Sequence, residues 1–245
     1  MSEDSQKAST TVSPDSGQSD ATPPAASWRQ SNGMALGEFA IVALIFFADR
    51  RHLIPISKTP FLFLLGWISL RLRRAGWRSV GLVRYRNWAI TAAIGIRAGI
   101  LIETFQLLAT QPLLVRFTGK QPDLNYFRML TGNLKLALVG FAFAWTLAAF
   151  GEEMVWRGYL MNRVADLGNR TRRAWMCSLI AVSIVFGMAH AYQGITGIIE
   201  EGIAGLFLGV IYLRTAGNLA VPIIAHGVAD TIDVVLIFLG KYPGM

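Results

Sequence analysis

Three ionisable clusters stand inside otherwise apolar stretches of this chain. They are Glu152-Glu153-Met154-Val155-Trp156-Arg157, His190 at the end of Phe186-Gly187-Met188-Ala189-His190, and His226 with Asp230 in PIIAHGVAD. A charged side chain at the centre of an apolar span costs of order 2.5–3.5 kcal/mol on insertion scales, so such groups face a polar cavity or one another. Glu153 and Arg157 are four residues apart, share a helix face and can pair. In an α-helix Glu152 points roughly 100° away from Glu153 and has no partner on its own helix. An unpaired buried carboxylate is suited to take a proton from water as a general base. His226 and Asp230 are again four apart, a spacing that suits two metal ligands or a histidine oriented by a carboxylate. Satisfying a buried polar group would produce the same His–Asp spacing, and a histidine near a span terminus is often interfacial. The third histidine, His52, falls in an expected loop.

Other charges read differently. Arg97 and Glu103 are six apart in one apolar stretch, do not share a face, and are expected to pair with other helices or line a cavity. Glu200 and Glu201 are expected near a helix start, where they would favour its dipole. Ser183 and Cys177 lie seven and thirteen residues before His190, so no serine or cysteine adjoins a histidine in the motifs. The single cysteine precludes an internal disulfide and is expected to be a small buried apolar residue.

These residues must be positioned by membrane helices. Charged residues make up 16% of the chain, against about 25% in a soluble domain, and mean hydropathy is +0.44. Apolar runs near 18 residues dominate after position 34 and are long enough to cross lipid. The expected fold class is all-α, a polytopic transmembrane helical bundle of about seven helices, six to eight being compatible with the pattern. Residues 1–33, poor in large apolar side chains, are expected to be a disordered cytoplasmic tail, followed by a helical domain at 34–245 with its motif core at 134–240. The blocks 34–48 and 53–70 are the least regular, and helix in the second is expected from Pro60. Residues 71–87 alternate Arg with apolar and aromatic residues and read as an amphipathic interfacial segment. Spans are expected at 88–109, 134–160, 174–191, 198–214 and 219–240, with a polar loop at 110–133 and a basic loop at 163–173.

A net charge of +8 could suggest nucleic acid, but ten of the eighteen arginines fall in two short stretches, 71–86 and 163–173. That placement marks the cytoplasmic side of a multi-pass cell-membrane protein and a contact with anionic lipid headgroups, and excludes nucleic acid as a partner. No internal repeat is evident, which argues against a proton-coupled transporter of inverted-repeat type.

In order and setting, EEMVWRGYL resembles the EExxxR motif of the CAAX protease and bacteriocin-processing family of intramembrane proteases. FGMAH is similar to that family's FxxxH motif, and TAGNLAVPIIAHGVAD to its third motif block. The resemblance runs from Glu152 to Asp230, about 80 residues. It implies a helical bundle with a buried polar cavity and an intramembrane endopeptidase acting on a membrane-associated peptide or protein. It also implies that Glu152 and His190 activate the hydrolytic water, that His226 and Asp230 stabilise the oxyanion or complete a metal site, and that Glu153 and Arg157 support the motif helix. A divalent ion such as Zn²⁺ held by Glu152, His190, His226 and Asp230 is one route to polarising the carbonyl. Asp230 stands where prenyl proteases of the family carry Asn; an ionised carboxylate cannot donate to an oxyanion, which favours a His-orienting or metal-ligating role. The competing reading is a non-enzymatic immunity or chaperone-like binding protein on the same fold.

Overall fold

A computed structural model describes residues 31–55, 57–83, 85 and 87–244. The expected tail therefore lies, up to residue 30, outside the described residues, as do Arg84 and Arg86 of the basic stretch. Among the described residues the chain is helical throughout, with no strand. The helices are α1 (Asn32–Arg50), α2 (Thr59–Leu72), α3 (Trp88–Thr118), α4 (Leu134–Leu167), α5 (Arg172–Ala189), α6 (Gly194–Arg214) and α7 (Ala220–Phe238). All but α2 belong to segments long and apolar enough to span a membrane. The 14 residues of α2 rise only about 21 Å, short of a hydrocarbon core. The protein is a multi-pass membrane protein.

Several boundaries differ from the sequence expectation, each for a local reason. Pro60 does open α2 in the first turn, where a missing N–H costs nothing. Pro112, expected in a loop, lies inside α3. A π-helical turn at Gln106–Thr110 widens the rod just before it, and Pro112 enters the first turn of the following α segment. The polar loop is therefore 119–133, held partly by a short 3₁₀ turn at Asn125–Leu130. At the other end α4 continues to Leu167, so Arg163 belongs to a helix and not to a basic loop. It is buried and paired with Asp166 at 2.8 Å. Arg73 likewise turns inward, donating to Glu38 and Ser69. The stretch from Trp77 to Val80 is a single 3₁₀ turn.

Outward faces are apolar: Leu101, Leu108, Phe117, Leu138, Ile180 and Ile184 are exposed where lipid would cover them. Cys177 is exposed on the outer face of α5, contrary to the buried position expected of it. With no hydrophobic force between helices in lipid, small residues bring the backbones together. A Cβ at Gly99 of α3 would stand 2.4 Å from the Ala225 carbonyl oxygen of α7, one residue before His226. A Cβ at Gly187 of α5 would stand 2.3 Å from the Ile198 carbonyl oxygen of α6, whereas one at Gly202 would meet its neighbours at ordinary contact distance, 3.6 Å. These close approaches are backbone-limited, so neither can be relieved by a side-chain rotation. Gly187→Val should therefore lower the thermal midpoint of the detergent-solubilised protein by the equivalent of about 1–3 kcal/mol or more. Gly202→Ala should leave it nearly unchanged; equal midpoints for the two variants would show that the α5–α6 approach is not as tight as described.

Candidate active site

α4 changes character where the motif begins. From Ala144 to Leu160 the helix is π-wound except at Glu153, with i→i+5 bonding that widens the backbone. π-Windows in long helices recur at functional sites because they redirect side chains out of the regular register. Here they surround the two adjacent glutamates.

Glu153 is fully buried. Its Oε1 accepts from Arg157 Nη1 at 2.6 Å and from His226 Nδ1 at 2.9 Å. Arg157 completes its fork by donating Nη2 to the Gly205 carbonyl of α6 at 2.9 Å, and its guanidinium lies 4.9 Å over the Phe186 ring of α5. One carboxylate oxygen thus ties α4 to α7, and its arginine ties α4 to α5 and α6. Glu153 Oε2 is buried without a partner.

Glu152 takes no part in that knot. It is half-buried, and its Oε1 accepts from Thr59 Oγ1 of α2 at 3.5 Å. The partner missing from its own helix is supplied, weakly, by another. The start of α2 also braces α5: Lys58 donates to the Ala189 carbonyl at 3.1 Å, next to His190, and pairs with Asp49 at 3.2 Å. Neither Lys58 nor Thr59 was apparent as a site residue, because both sit in the irregular block before Pro60.

The histidines meet at one phenyl ring. Phe186 lies 4.8 Å from the His190 ring, 6.2 Å from the His226 ring and 5.4 Å from Trp156. His190 Nδ1 sits 2.9 Å from the Phe186 carbonyl, an acceptor, so Nδ1 carries the proton and a neutral imidazole keeps its lone pair on Nε2. His226 Nδ1 likewise donates to Glu153, and its Nε2 stands 3.5 Å from Asp230 Oδ1 one turn along α7. Ser183 spends its hydroxyl on the Leu179 carbonyl. The four expected metal ligands are not gathered into one group: among the described residues no three His, Cys, Asp or Glu side chains lie together as an ion would need.

The remaining charges are sorted by the bundle. Arg97 is exposed, whereas Glu103 is buried and lines a chamber beside His226 and Asp230. Glu200 and Glu201 are not at a helix start: α6 begins at Gly194, which places them in its second turn and after, and Glu201 borders the same chamber. Asp233 joins them. Its position seven residues after His226 on one helical face is the signal that could have identified it.

Breaking a buried ion pair by removing one partner costs about 3–5 kcal/mol, since the other charge is left uncompensated. Arg157→Met should therefore destabilise the protein severely. Adding Glu153→Gln should recover part of the loss in a double-mutant cycle read by thermal or denaturant unfolding. Strict additivity of the two substitutions would mean that the pair is not coupled as its geometry requires.

No curated protein and no solved structure matches the chain. Residues 133–232, covering the whole of α4 through the His226–Asp230 turn, match the family described as type II CAAX prenyl endopeptidase, Rce1-like. That segment, 100 of the chain's 245 residues, carries the EExxxR, FxxxH and HxxxD residues and is what the chain shares with the Rce1-like CAAX protease family.

Proposed function

We propose that the protein is an intramembrane endopeptidase in which water attacks the peptide carbonyl and Glu152 is the general base. The observation that carries this reading is the division between adjacent glutamates. Glu153 Oε1 is held by Arg157 and His226, while Glu152 is half-buried with one long hydrogen bond, from Thr59. A base needs a lone pair within reach of water; half-buried Glu152 can offer one, whereas Glu153 is fully buried.

In this mechanism Glu152 removes a proton from water as its oxygen bonds to the carbonyl carbon. His190 Nε2, whose lone pair is left free by the Nδ1 bond to Phe186, accepts a hydrogen bond from the same water and aligns it. The tetrahedral oxyanion needs a donor. Asp230, if ionised, has none to give. His226 in its doubly protonated form would present Nε2–H, with Glu153 holding Nδ1–H and Asp230 setting the ring's tilt. Glu152 then returns its proton to the departing amine, and the C–N bond breaks. No step here runs through a metal.

The substrate would be a membrane-associated peptide or protein, in keeping with the family's description as prenyl endopeptidases. The arginine-rich stretches would face the cytoplasm and anionic headgroups.

Glu152→Gln keeps size and shape and removes the base. It should reduce turnover by about 10²–10⁴-fold while leaving the thermal midpoint within about 1 kcal/mol of wild type. Because no substrate is in hand, the readout is a comparison of membrane-peptide fragments between cells carrying wild type and Glu152→Gln. Fragments that disappear in the variant support proteolysis. An unchanged fragment set, with the cellular phenotype intact, would instead favour the immunity or chaperone-like binding role.

A further inference from the structure

At the opposite end of α5 from His190, the turns before α3, α5 and α7 surround an open cavity of about 740 Å³. Three arginines line it: Arg78 from the 3₁₀ turn, Arg170 from the α4–α5 turn, and Arg172 at the start of α5. No aspartate or glutamate is among its lining residues. A guanidinium stays charged in any protein setting, so the sign of this space follows from residue type alone. Arg170 is already engaged. Its Nε donates to Asp166 at 2.7 Å and its Nη2 to Asn162 Oδ1 at 3.1 Å, and it lies 5.6 Å over the Trp175 ring. Arg78 and Arg172 are exposed and pair with no carboxylate among the described residues. Even with Asp166 assigned wholly to Arg170, two positive charges remain.

The walls are fixed by the chain's own bonds. Asn162 and Tyr212, both buried, form the inner side. Asn162 Nδ2 donates to the Tyr212 hydroxyl at 3.0 Å, and that hydroxyl donates to the Val80 carbonyl at 3.0 Å. Leu219 N donates to the Gly81 carbonyl at 3.2 Å. Gly81, at φ +109°, lies so near Gly217 that a Cβ would stand 1.8 Å from its carbonyl oxygen. The two turns are therefore locked together, and the cavity is formed before any ligand arrives. Its volume is that of a small-molecule site, commonly about 300–1,000 Å³.

Position decides the kind of anion. α5 begins at Arg172 and α6 ends at Arg214, so the cavity lies where spans leave the hydrocarbon. From Arg172 the i, i+4 row of α5 runs through Met176, Ile180, Ile184 and Met188, all exposed. Met176 also lines the cavity, so the arginines open directly onto an apolar stripe. Met176 to Met188 rises about 18 Å, enough to cover one leaflet's hydrocarbon of about 15 Å. A soluble phosphate would use the arginines and leave the stripe idle; a phospholipid uses both.

We infer that the cavity binds the headgroup phosphate of an anionic glycerophospholipid, Arg78 and Arg172 donating to its oxygens while the acyl chains follow α5. This goes beyond a general attraction of basic loops to headgroups, which would not distinguish these arginines from others equally exposed. It is independent of the peptidase reading.

The test uses the full chain in an uncharged detergent with added dioleoylphosphatidylglycerol. It is read by the shift in thermal midpoint and by the number of lipids retained in native mass spectrometry. Dioleoylphosphatidylcholine, with the same chains and no net charge, and glycerol 3-phosphate, with the phosphate and no chains, are the comparisons. The anionic lipid should raise the midpoint and leave one lipid bound; the other two should do neither. Arg78→Gln with Arg172→Gln, at exposed positions whose loss breaks no bond of the fold, should weaken that binding by about tenfold or more. Arg71→Gln with Arg173→Gln removes the same charge from the same two stretches outside the cavity, and should weaken it far less. An equal effect of the two double variants would reduce the site to diffuse charge. An equal shift with the zwitterionic lipid, or with glycerol 3-phosphate, would overturn the assignment to an anionic lipid. Glu152→Gln should bind the lipid as wild type does, so failure here leaves the proposed proteolysis standing, and failure of proteolysis leaves the lipid site standing.

Discussion

Glu153 Oε1 is the point on which the bundle turns. A single oxygen accepts from Arg157 and His226 at once, and the arginine continues to a carbonyl of α6 and the face of Phe186 on α5. Buried ion pairs add little net stability against an apolar replacement, because desolvation consumes most of the attraction. What they impose is geometry. A guanidinium has a fixed fork and a carboxylate a fixed set of lone pairs, so four helices can meet here in only a few arrangements. In lipid, where apolar surfaces do not discriminate between partners, that constraint is worth more than its energy.

The knot has a direct consequence for its neighbour. Glu152 and Glu153 are adjacent, yet Glu153 holds two close partners on one oxygen while Glu152 has a single long hydrogen bond. The π-wound stretch from Ala144 to Leu160 widens the helix around them, and the fully buried position goes to Glu153. Phe186 then acts as the common wall. Its ring borders both imidazoles and carries the guanidinium, while its carbonyl fixes the proton on His190. One residue therefore sets the placement of two histidines and one arginine.

Much of this was legible in the residues alone. Charges embedded in apolar runs required a membrane bundle with a polar interior, and the i, i+4 spacings of Glu153–Arg157 and His226–Asp230 foretold both contacts. What stayed hidden was whatever depends on how one helix meets another. The His226 bond to Glu153 spans 73 residues of sequence, and no periodicity predicts it. Thr59 and Lys58 reach the site from a block whose proline and lysine made it look irregular. Pro112 was misleading because a π turn absorbs it, and Arg163 and Arg73 because arginine at a span end reads as a headgroup contact until a carboxylate is found beside it. Glu200 and Glu201 were assigned to a helix start that begins several residues earlier.

Asp230 connects the two halves of the interior. On one side it stands 3.5 Å from His226 Nε2; on the other it lines the acidic chamber with Glu103, Glu201 and Asp233. An amide at this position would donate to an oxyanion directly and contribute no charge to the space behind it. A carboxylate does the reverse: it leaves His226 as the donor and adds a fourth carboxyl to a chamber lined by Glu103, Glu201 and Asp233. The residue that weakens a simple amide oxyanion hole is thus the one that joins the two polar spaces on either side of the His226 ring.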